Sequence, residues 1–145
     1  MNWTINVTDN SALLIITAAG EPDVAGFQAY FAAATAHPLW HPKIPALCDF
    51  RSLEAHKASN SMIHEIAQFF RENLNRLDAH PDVALVVKGP SDYGVARIYE
   101  AAAGDFSRCS VFYSVDKALE WLAENNEGIP ARPAALEFKP ARPSV

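Results

Sequence analysis

Asp49, Arg51 and Ser52 stand at the end of a short apolar run, Ala46 to Phe50, where a buried strand would give way to a loop. Tyr93, Arg97 and Tyr99 follow the next such run, Asp82 to Val87, in the same sense. In an open α/β sheet, loops and helix starts converge at the carboxyl ends of the strands, and ligands bind there. The two arginines offer forked donors for an anionic group, and the tyrosines, with Trp40 from a proline-rich loop, offer amphipathic rings. The same residues also permit a plainer arrangement, in which Arg51 and Arg97 pair with Asp49 or Glu100 and fix loop geometry.

Other chemistries find little support. His37 and His41 are four apart, but Pro38 and Pro42 forbid the helix that would align them, and no third ligand is near in sequence, so no metal site is expected. Ser52 and Ser59 lie near His56, yet neither serine is framed as Gly-x-Ser-x-Gly. The chain has 6 glycines, and none fits a phosphate- or dinucleotide-cradling spacing. We therefore expect a non-enzymatic chain without a cofactor. A formal net charge of −5, with acids and bases mixed along the sequence, disfavours nucleic-acid binding.

Length and composition set the frame. With 145 residues, 50% of them apolar and 20% charged, the chain suits one globular domain. The longest apolar stretches, Ala12 to Gly20 and Ala29 to Ala36, fall short of the roughly 20 residues that cross a bilayer. Cys48 and Cys109 each lie in a strand-like segment and read as reduced core thiols in a cytoplasmic protein.

The elements follow from periodicity. Trp3, Ile5 and Val7 alternate with polar residues, Asp9-Asn10 is turn chemistry, and Leu13 to Ile16 is a continuous apolar run of the kind covered on both faces. Helices are predicted from Asp23 to Ala36, from Asn60 to Leu77, from a Ser91 or Asp92 cap to Gly104, and from Val115 to Glu124. Further strands are predicted over Ala46 to Phe50, Asp82 to Val87 and Ser107 to Tyr113. The fold class is thus α/β: a leading β-hairpin, then alternating α and β, giving a mostly parallel mixed sheet of five strands with four helices. Residues 1–124 form this domain, and 125–145 read as a proline-rich tail that reaches back through Leu136 and Phe138. The first helix, carrying Phe27, Tyr30 and Phe31 among many alanines, is apolar on more than one face, as suits a buried helix or one facing a partner, a cavity or a membrane.

This order, with Trp3 opening the first strand, His37-Pro38-Leu39-Trp40, Asp49-x-Arg51-x-Leu53, Tyr93-Gly94-x-Ala96-Arg97-x-Tyr99-Glu100 and Val111-Phe112-Tyr113-Ser114, resembles the anti-sigma-factor antagonist (STAS) superfamily. Within it the chain looks most like the SpoIIAA-like branch, which is related in fold to lipid-binding CRAL-TRIO domains. The resemblance implies a regulatory module acting through a protein partner or a small amphipathic ligand, as a monomer or weak homodimer. It also implies an alternative: a carrier of a lipid-like ligand with peripheral membrane contact, the first helix serving as lid. In phosphorylatable antagonists the strand-to-helix turn reads Asp-Ser-Ser-Gly-Leu, and the second serine is modified. Here Asp49 and Leu53 match, Arg51 takes the phosphoserine position and Ser52 that of the glycine. The family's phospho-switch is accordingly not expected.

Overall fold

The computed structural model describes residues 1–104 and 106–131. Strands β1 (Asn2–Val7), β2 (Leu14–Gly20), β3 (Ala46–Leu53), β4 (Asp82–Val86) and β5 (Arg108–Phe112) form one sheet in sequential order, with β1 antiparallel and all others parallel. Helix α1 (Val24–Thr35) links β2 to β3, α2 (Asn60–Arg76) links β3 to β4, α3 (Pro90–Ala102) links β4 to β5, and α4 (Val115–Ala123) follows β5. The predicted α/β architecture is therefore the observed one.

Parallel strands that step in one direction through crossovers of a single hand place their connecting helices on one side of the sheet. The core divides accordingly. Leu14, Ile16, Cys48, Phe50 and Leu85 pack toward Phe27, Tyr30 and Ile66 of α1 and α2. On the opposite face Leu13, Ile15, Leu47 and Val86 meet Leu119 and Leu122 of α4. The apolar run Leu13 to Ile16 thus feeds both layers, as its lack of alternation implies.

Caps show how local sequence sets the boundaries. Asp23 accepts from the Gly26 N–H at 2.6 Å, Ser59 from Met62 at 3.1 Å and Ser114 from Lys117 at 3.3 Å. At α3 the expected Ser91 or Asp92 cap is corrected: Gly89 is the N-cap and Pro90 enters the first turn. Asp92 is taken up elsewhere, its Oδ1 lying 2.8 Å from both the backbone N and Nδ1 of His56 in the 3₁₀ turn Ala55–Lys57. Proline needs no N–H partner at a helix start, so α3 begins without a side-chain cap.

The segment after α4 is not a free tail at its beginning. Asn126 donates to Asp82 at 2.9 Å and to the Leu122 carbonyl at 2.8 Å, Asn10 donates to the Gly128 carbonyl at 3.1 Å, and Ile129 packs on the α4-side core. Leu136 and Phe138 lie outside the described residues.

Candidate functional site

The seven residues singled out from the sequence fall into three places rather than one cleft. Asp49 is 3% exposed and holds Arg51 in a forked pair, Nε to Oδ1 and Nη2 to Oδ2, each at 2.7 Å. The hydrogen bond to Asp49 pushes the Arg51 guanidinium further above its ordinary value. Both residues sit where β3 carries an extra residue relative to β2: Thr17 pairs with Asp49, but Ala19 pairs with Ser52. Such a bulge re-aims the side chains beyond it, so Ser52 is exposed and Leu53 turns into the core. The simple alternation of β3 would have put them the other way round.

Tyr93 and Arg97 occupy the outer edge of α3. Arg97 pairs with Glu100 and lies 5.9 Å from the Tyr93 ring centroid, and Tyr93 stacks on Tyr113 at 4.8 Å. Tyr113, 53% exposed just beyond β5, is the one large apolar side chain that stands out into solvent among the described residues. For both arginines, then, the ion-pair arrangement is the one adopted.

Tyr99 and Trp40 point the other way, into a cavity between the sheet and the layer formed by α1, α2 and α3. Its volume is about 120 Å³, and it opens in part to solvent. Phe27, Tyr30 and Phe31 of α1, Phe70 of α2, and Cys48 and Leu85 of the sheet contribute to its wall. The rings form a connected set: Tyr30 and Tyr99 flank Phe70 with centroids 6.1 and 6.4 Å away, and Phe31 meets Phe70 edge-on at 5.6 Å. Among the described residues no Asp, Glu, Lys, Arg or His lines this space. Burial pushes the Tyr30 and Tyr99 phenols well above their ordinary value, so both stay protonated and able to donate. Burial likewise raises the Cys48 thiol, and it pushes Cys109 up to about 12.

The apolar character of α1 is resolved by its neighbours. Phe27, Tyr30 and Ala34 face inward, while its outer side is Ala25, Gln28, Ala29 and Ala32, small enough to stand in water at little cost. Tyr30 is the residue that the sequence placed on an apolar helix without assigning it to a site. The α1 spacing of Phe27, Tyr30, Phe31 and Ala34 is the signal for that inward face, and nothing in sequence alone tells a filled core from a hollow one.

The remaining histidines are held locally. His41 Nε2 lies 2.9 Å from the Ser11 carbonyl and His64 Nδ1 2.8 Å from that of Asn60, and no group of three metal-ligating side chains occurs among the described residues. No helix among them is long and apolar enough to cross a membrane. Comparison with protein-family models, with curated proteins and with solved structures finds no match for the chain.

Proposed function

We propose that this chain is a non-enzymatic, STAS-like binding module whose ligand is a small, largely apolar molecule held between the sheet and the three-helix layer. The observation that carries the reading is the cavity of about 120 Å³. Well-packed interiors leave few voids larger than a water molecule, and an apolar void of this order is a binding site for apolar molecules. The element order and the SpoIIAA-like resemblance, with its CRAL-TRIO relation, support the same reading. Arg51, at the family's phosphoserine position, is committed to Asp49, which favours occupancy of the cavity over phosphorylation as the input signal.

Native mass spectrometry of the purified chain, beside its denatured mass, tests this directly. We expect excess mass that is lost on denaturation, and we expect Ala34→Leu, which places a larger side chain into the cavity wall, to remove it. An unliganded native mass, together with failure of small apolar probes to bind, would sink the proposal.

A second reading, regulation through a protein partner, is favoured by one specific feature, the exposed Tyr113 ring stacked on Tyr93 beside Arg97. Tyrosine and arginine dominate interface hot spots. A partner captured from the host by the wild-type chain should be lost on the double replacement Arg97→Ala and Tyr113→Ala, with the melting temperature unchanged. The alternative of a peripheral membrane carrier predicts co-sedimentation with liposomes that does not depend on anionic lipid, since the chain is acidic.

A further inference from the structure

Resting on the cavity reading, we infer that the ligand is a neutral ring compound about the size of a substituted benzene, bearing one carbonyl-type acceptor bound by the hydroxyls of Tyr30 and Tyr99. Size comes first. A cavity of about 120 Å³ is of the same order as the roughly 150 Å³ engineered apolar cavity that admits benzene, and its partial opening to solvent leaves room for a small substituent on the ring. A long acyl chain or a whole phospholipid does not fit such a space. Shape follows from the wall, where Phe27, Phe31, Phe70 and the two tyrosines present ring faces and edges, the surroundings that suit another ring.

Polarity is set by which groups are already committed. The Thr35 hydroxyl donates to the Phe31 carbonyl at 3.0 Å, and that of Ser107 donates to Pro81 at 2.7 Å. The hydroxyls of Tyr30 and Tyr99 make no hydrogen bond among the described residues, although Tyr30 is only 5% exposed. Among the described residues no sealed-off side-chain oxygen or nitrogen lacks a partner, so these two hydroxyls face the open space of the cavity. Buried tyrosine hydroxyls ordinarily find a partner. Here a ligand acceptor supplies it, and with no cation among the described residues of the wall a charged carboxylate would stay uncompensated.

The test uses the full chain and three probes of nearly equal shape: acetophenone, α-methylstyrene, in which a CH₂ replaces the carbonyl oxygen, and benzoate. Each is titrated by ligand-observed NMR into wild type and into the Tyr30→Phe, Tyr99→Phe double variant, which keeps both rings and whose folding is checked by its melt. Acetophenone should lose about tenfold in affinity in the double variant, while α-methylstyrene holds or gains, and benzoate should not bind at concentrations that saturate acetophenone. Equal response of acetophenone and α-methylstyrene to the double replacement overturns the inference and leaves the cavity reading standing, as does benzoate binding as well as acetophenone. Failure of both neutral probes to bind overturns both.

Discussion

Asp49 and Arg51 form an asymmetric pair: the carboxylate is buried, while the guanidinium side chain keeps 39% of its surface in water. Removing the arginine strands a charge in the interior, whereas removing the carboxylate leaves an arginine that can turn to solvent. Arg51→Met should therefore destabilise by about 1–3 kcal/mol, discounted for the exposed partner, and Asp49→Asn by less, measured by urea unfolding. A second forked pair, Arg108 to Asp82 at 3.0 and 2.8 Å, joins directly opposed residues of β5 and β4. Its hydrogen bonds, with one from Asn126, hold the Asp82 carboxyl below its ordinary value. A carboxyl with a lowered folded pKa adds stability that is fully present above the unfolded value of about 3.9 and is lost as pH falls through the folded one. Wild type should exceed Asp82→Asn by about 1 kcal/mol at neutral pH, and the gap should close in acid. Cys48 lines the cavity and its thiol is held protonated, so alkylation at pH 8 should be slow in the native chain and slower still with acetophenone bound.

At the scale of elements, α4 is the one helix among the described residues on its face of the sheet, and Leu122, near its C-terminal end, is fully buried. Leu122→Ala should cost about 2–5 kcal/mol. On the other face α1 borders a cavity, and Ala34→Leu there should leave stability unchanged or slightly raised while abolishing probe binding; thermal melts with and without acetophenone separate the two effects. The contrast follows from packing: a deletion in a filled layer opens a void, while an addition in a hollow one closes it. Strands and helices were readable from the chain because period-two and period-3.6 patterns arise from backbone geometry, as in Trp3-Ile5-Val7 and Ile63-Ile66-Phe70. The start of α3 was misread because Asp92 is a good cap by type, and only the fold brings His56 close enough to claim it.

For the whole molecule, the sequence located the candidate residues along the chain but not how the fold groups them, and of the seven only Trp40 and Tyr99 line the cavity. Asp49, Arg51, Tyr93, Arg97, Tyr99 and Trp40 all lie near strand ends or on α3 and the loop before β3, as read. Their separation depends on the rotation of α3, which directs Arg97 outward and Tyr99 inward, while the β3 bulge turns Ser52 out to solvent. Neither a one-residue bulge nor an unfilled volume leaves a mark in residue order. That volume nevertheless has a mechanical consequence. Unfilled internal volume is eliminated on unfolding, so pressure favours the unfolded chain by an amount that scales with it. The chain is thus built to yield to compression. It should unfold at a lower pressure than Ala34→Leu, and an occupant that fills the space should harden it.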